Sequence, residues 1–186
     1  MSVFVRKIQP GDEPRWRELW DAYTRFYQRE PDAGVTRHTW SRTMDPDVPV
    51  YAVVAQADGG EVLGIADYVI HENTSTLTPV CYLEDLFVDP TRRGESVGKQ
   101  LIDWLLAETK AQGWSRLYWH TKENNYRARS LYDKYTPHSA SCGTRSKIRE
   151  VFPEIQATFR SAAPAASAPS GFDFDSYLLS VSASQR

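Results

Sequence analysis

Glu84 and Asp85 stand side by side inside the otherwise apolar run Val80 to Val88, VCYLEDLFV. Strand side chains alternate faces, so the two carboxylates are expected on opposite sides of a sheet covered on both, with at least one acid partly buried. Polar groups that break a local rule in this way tend to mark functional sites, the bland alternative being a carboxylate satisfied by a neighbouring Arg or backbone amide. Asp89-Pro90 ends the run. A loop follows with Arg92, Arg93, Gly94 and Gly98, and helical spacing resumes at Val97. A helix N-terminus leaves amide donors unpaired and carries about half a positive charge, so it attracts phosphates. The glycines let a ligand approach the backbone closely, and the guanidiniums add donors. A strand, an anion-binding turn and a helix are therefore expected around a phosphate-bearing ligand; a lone basic loop without the strand would read only as a solvated connection.

Two nucleotide motifs fail on spacing. A nucleotide-triphosphate loop needs four residues between its glycines and a Ser or Thr after the Lys, whereas three separate Gly94 from Gly98 and Gln100 follows Lys99. No G-x-G-x-x-G dinucleotide fingerprint can be laid on the segment.

The stretch YLEDLFVDPTRRGESVGKQLI resembles the coenzyme A-binding motif of the GNAT superfamily of N-acetyltransferases: Arg or Gln, two residues, Gly, one residue, then Gly or Ala. Arg93 and Gly98 fit its ends. Ser96 stands where the family usually has its first Gly, and can offer its hydroxyl at a helix N-terminus. Asn125, Ala128, Leu131 and Tyr132 match a second family pattern position for position. YLEDLFV is closest to the diamine and polyamine acetyltransferases, including the histone/polyamine type.

The resemblance implies acetyl-CoA as cofactor and direct attack of an amine on the thioester. Tyr132 would donate a proton to the departing thiolate and Asn125 would touch the pantetheine or phosphate arm. Backbone amides near Leu86 and Val88 would pair with the pantetheine and polarise the thioester carbonyl. Phe87, Arg92, Arg93, Gly94, Ser96, Val97, Gly98 and Lys99 complete the expected cofactor contacts. An alkylamine is protonated near neutral pH, so a base must free its lone pair, and the resemblance gives that role to Glu84. Asp85 is left to bind the substrate's charge or to serve structure. A small cationic amine such as a polyamine is the expected acceptor, with protein lysine, amino acids and aminoglycosides still open. The alternative is a non-catalytic coenzyme A-binding module, suggested by Ser96 and the ending of the chain.

The elements that must position these residues can be read around them. Val3 to Ile8 is a strand. Asp12 then N-caps a helix carrying Trp16, Leu19, Trp20, Tyr23, Phe26 and Tyr27, a stripe that is core with some capacity to wall a substrate cleft. Thr36 to Met44 is a short helix. Val50 to Ala55 and Val62 to Ile70 form a hairpin around Asp58-Gly59-Gly60, which the Val80 strand extends as an antiparallel meander. Gly64 and Asp67 inside a strand signal irregularity. The Val97 helix ends at Gly113, Leu117 to Thr121 returns as a parallel strand, and Asn125 to Tyr135 is a helix. The fold class is α/β: a GNAT-like mixed, mainly antiparallel twisted sheet flanked by helices.

Past Pro137 the resemblance stops. An N-acetyltransferase domain over 1–137 and a divergent tail over 138–186 are expected, with weak helical character from Lys147 to Phe159, an Ala/Ser/Pro linker from Ser161 to Ser170, and one returning strand at Phe172 to Val181. Homodimer formation depends on whether that tail closes the sheet. With 186 residues and a net charge of −2, one domain without a nucleic-acid footprint is expected. Cys81 and Cys142 form no C-x-x-C, the four histidines form no local metal motif, and neither a signal core nor a membrane-spanning run is present, which together read as a cytoplasmic protein without a metal.

Overall fold

A computed structural model describes residues 2–135, together with the backbone of Ser146–Val151. Six strands, β1 (Val3–Lys7), β2 (Val50–Ala57), β3 (Val62–His71), β4 (Val80–Val88), β5 (Leu117–Lys122) and β6 (Ser146–Val151), lie in that order in one sheet. All neighbours are antiparallel except β4 and β5. Helices α1 (Glu13–Phe26) and α2 (Ala33–Met44) cover one face; α3 (Val97–Ala111) and α4 (Tyr126–Tyr132) pack against the other.

Each face has its own core. Leu101, Ile102 and Leu105 of α3 bury against Val53, Leu63, Leu83 and Leu117, while Trp16, Leu19 and Tyr23 of α1 bury with Trp40, Ile65 and Phe87. The aromatic stripe of α1 is therefore largely core, as its helical spacing required.

Three sequence readings change in detail. Asp12 occupies the N-cap of α1, but its carboxylate turns away from the helix to a two-pronged pair with Arg6, at 2.7 and 2.8 Å, and to the Gln9 amide. Helix α2 begins three residues before Thr36, because the Asp32 carboxylate accepts the Val35 amide at 2.8 Å and caps it there. Lys147 onward shows a strand where weak helical character was read: Ser146–Val151 pairs with β5 from Lys122 to Leu117, a partnership that local propensity does not encode. The Ala/Ser/Pro linker, the Phe172 to Val181 segment and Cys142 lie outside the described residues. Among the described residues no helix is long and apolar enough to cross a membrane.

Gly64 has a specific reason to lack a side chain. A β-carbon there would lie 2.8 Å from the Phe87 carbonyl oxygen, so β3 and β4 could not approach as they do beside the N-terminus of α3.

Candidate active site

The site is made by two departures from a regular sheet. The first is an extra residue in β4. Asp67 of β3 faces Asp85, but the next residue, Tyr68, faces Leu83, so Glu84 is bulged out of register. Leu83 and Leu86 both contact the core on the α3 face, and the two acids between them consequently fall together on the α1 face. The bulge overturns the simple alternation that put them on opposite sides.

The second departure is a splay. Parallel pairing of β4 with β5 covers only Cys81, Tyr82 and Leu83, opposite Leu117, Tyr118 and Trp119. Past Leu83 that pairing stops, and a cavity of about 410 Å³ opens beside β4, walled by α1, the start of α3 and α4. The Asp89 amide bonds to the Leu63 carbonyl across β3 at 2.9 Å, so alternation turns the Leu86 and Val88 amides the other way, toward the gap.

All of the expected cofactor contacts converge on this cavity: Leu86, Phe87 and Val88 from β4, Arg92, Arg93 and Gly94 from the loop, Ser96, Val97, Gly98 and Lys99 at the start of α3, and Asn125 before α4. Tyr132 joins them from α4. Glu84 and Asp85 do not line it; they follow directly on Leu83, the last β4 residue paired with β5. Tyr23, Phe26, Tyr27, Arg127, Ser130 and Lys134 also line the cavity and were not singled out from sequence, although the α1 aromatic stripe was a signal for the first three.

The loop is built to hold its shape. Asp89 accepts the Thr91 amide at 2.9 Å and the Thr91 hydroxyl at 2.7 Å, and its other oxygen pairs with Arg15 of α1. Those contacts, the Thr91 hydroxyl first, hold the Asp89 carboxyl down at about 2. Arg93 lies over the Phe87 ring at 5.7 Å. Burial lowers its proton affinity, and so does the charge of Arg127 across the cavity mouth. Among the described residues neither guanidinium forms a salt bridge, and the Asp89 charge only partly offsets the lowering at Arg93. Two like charges lining one cavity, one from the loop before α3 and one from α4, fit an anion there, and a phosphate-bearing carrier whose arm pairs with β4 in the gap meets both requirements.

Ser96 explains the usual Gly at its position. Its backbone is left-handed, with φ 62°, and its side chain makes no capping bond, contrary to the capping use read from sequence. The left-handed region costs an L-residue about 1–2 kcal/mol that Gly avoids. Ser96→Gly is expected to raise the melting temperature by a few degrees without weakening coenzyme A binding, as followed by thermal denaturation with and without the ligand. Gly98 is tight for another reason: a β-carbon would meet Leu131 at 3.2 Å, between α3 and α4. Asn125 serves α4 as well as the cavity, its side chain accepting the Ala128 amide at 3.2 Å.

A family model described as the acetyltransferase (GNAT) family matches residues 14–136. The chain belongs to that family. Among its relatives is the D-amino-acid N-acetyltransferase HPA3 of Saccharomyces cerevisiae, 32% identical over 133 residues, which make up 71% of this chain and 83% of that one. The fold recurs in a PaiA N-acetyltransferase from Thermoplasma acidophilum solved with coenzyme A, at 17% identity and a TM-score of 0.62, covering 82% of this chain and 100% of that one. It recurs also in the aminoglycoside acetyltransferase AAC(6')-Iy bound to a bisubstrate analogue, at 22% identity and a TM-score of 0.65, covering 77% of this chain and 96% of the other. The GNAT chain is an N-acetyltransferase that draws its acetyl group from acetyl-CoA.

On the acid side, burial pushes the Asp85 carboxyl up to about 6, against the opposing pull of the nearby Tyr23 hydroxyl. Asp67 lies deeper, 3% exposed. One of its oxygens accepts the Trp16 indole N–H at 3.3 Å and the other has no partner. Burial, reinforced by the Asp85 charge, raises its proton affinity well above the usual carboxylate range. A group whose pKa rises on folding stabilises the fold below its unfolded value, and that contribution is lost as pH climbs toward the folded one. Asp67→Asn should therefore melt at the wild-type temperature below about pH 4 and several degrees higher at about pH 8. Equal melting temperatures at both would show that Asp67 ionises freely in the fold.

Proposed function

We propose that this acetyltransferase transfers the acetyl group of acetyl-CoA directly to a small primary amine held at the vertex of the splay, with Tyr132 as proton donor to the thiolate and Glu84 as proton acceptor from the amine. One observation carries this reading. Trp119, the last β5 residue paired with β4, packs against the Tyr132 ring at 5.1 Å between centroids, and Glu84 and Asp85 are the first residues past its partner, Leu83. A thioester reaching the closed end of the gap would have the phenol on one side and the carboxylates on the other. Coenzyme A, when bound, supplies the activated acetyl group and a sulfur leaving group.

The roles divide by burial. Glu84 is exposed on the bulge, so a proton taken from an ammonium passes readily to water. Asp85 is partly buried and fixed by Tyr23, which suits holding the cation. Leu86 and Val88 amides, aimed into the gap, would hold the pantetheine and the thioester carbonyl, where an oxyanion donor is worth about 3 to 4 kcal/mol. Arg93, Arg127 and the start of α3 would take the pyrophosphate.

For the acceptor, the paired acids suit any small cationic amine, a polyamine included. The name of the yeast relative, D-amino-acid N-acetyltransferase, favours an amino acid. Thiol release from acetyl-CoA on adding a panel of amines tests the activity: acceptor-dependent release with formation of the N-acetyl product is expected. Coenzyme A binding without release for any amine would leave a binding module instead.

A further inference from the structure

A second cavity, of about 250 Å³, adjoins the first and shares Phe26, Tyr27 and Asn125 with it. Lys122, at the end of β5, lines it, with its ammonium 4.9 Å from the centre of the Tyr27 ring. Arg29 follows Gln28, whose left-handed φ of 58° lies two residues past the end of α1. The Arg29 charge opposes the upward shifts of Tyr23, Tyr27 and Asp85, so it lies within electrostatic reach of all three. Both cations are exposed, and among the described residues neither forms a salt bridge, the Asp85 carboxylate being the acid within reach of the Arg29 charge.

The arrangement is polar along one line. At one end are Glu84 and Asp85, with Asp85 held by Tyr23. Tyr23 contacts Tyr27 edge-on at 5.0 Å, Lys122 lies over the Tyr27 ring, and Arg29 is two residues along the chain from Tyr27. An acceptor carrying only positive charge would be attracted at the first end and repelled at the second. An acceptor with one ammonium and one carboxylate is matched at both.

We propose that Arg29 and Lys122 form the acceptor-carboxylate clamp of this enzyme and select zwitterionic amino acids over polyamines and simple amines. The proposal rests on the amine-acetyltransferase reading above and deepens it. The two tyrosines would form the floor between the charged ends, with the amine directed toward the bulge by Asp85.

The experiment compares one amino acid, leucine in both enantiomers, with leucinamide, isopentylamine and spermidine, each as acceptor with acetyl-CoA. The wild type should favour at least one leucine enantiomer over leucinamide by about 10- to 100-fold in kcat/KM, as loss of a charge-assisted contact implies. The double variant Arg29→Gln/Lys122→Gln should lose that preference through the acceptor's KM, keep the KM for acetyl-CoA, and act on leucinamide as before. Lys122→Arg should retain the preference, since the charge is retained. If leucinamide or spermidine is acetylated by the wild type as well as leucine, or if the double variant changes the acetyl-CoA KM and leaves the acid-to-amide ratio intact, the clamp is refuted while the transferase reading stands. Absence of turnover with every acceptor would refute both.

Discussion

Tyr132→Phe is expected to lower kcat by about 10²- to 10⁴-fold, the usual worth of a positioned general acid, while leaving coenzyme A affinity unchanged. The substitution removes one oxygen and keeps the ring. Tyr132 is 7% exposed and packed on Trp119, so phenylalanine fills the same space and keeps that packing. The chemistry, by contrast, loses the proposed proton donor to the thiolate as the acetyl–sulfur bond breaks. Steady-state thiol release paired with calorimetry of coenzyme A separates the two effects. A variant with normal kcat would remove Tyr132 from the reaction, and one with weak cofactor binding would make it a docking residue.

The second large effect lies with the acids, and their substitutions should differ in kind. Glu84→Gln removes the proposed proton acceptor for the amine, so kcat should fall by about 10²-fold or more near neutral pH and recover as pH rises toward the amine's own pKa, about 10 for an alkylamine. Asp85→Asn should act on binding. In the wild type the Asp85 carboxyl, raised to about 6 chiefly by burial, carries its charge above that pH and loses it below, so acceptor affinity should fall as pH drops through about 6. In the Asn variant the acceptor's KM should be high and flat with pH. An unchanged pH profile in Glu84→Gln would remove Glu84 from the proton-accepting role, and a wild-type limb near 6 that survives in Asp85→Asn would belong to another group.

Much of this site was legible because its cofactor half is local in sequence. Val80 to Gly98 places strand, turn and helix N-terminus in one continuous stretch, and Asn125 with Tyr132 sits on one short helix, so spacing alone gathers them on one cavity. The acceptor half is not local. The bulge at Glu84 leaves no compositional trace, because it arises from how Asp67 and Tyr68 of β3 pair with Asp85 and Leu83 across the sheet. Arg29 and Lys122 come from the end of α1 and the end of β5, and only the sheet brings their surroundings together. Ser96 read as an exception to a pattern; its left-handed backbone shows what the pattern is for. Strand β6 escaped for the same reason as the bulge, since its partner lies in β5 and its own residues favour no strand strongly.

The most direct measurement is residue-resolved amide hydrogen exchange with and without coenzyme A. The Leu86 and Val88 amides, facing the gap, should exchange fast in the free protein and become strongly protected on binding, while Phe87, turned toward β3, should change little. Unaltered exchange at Leu86 and Val88 in a sample shown to bind coenzyme A would contradict a carrier arm seated along β4.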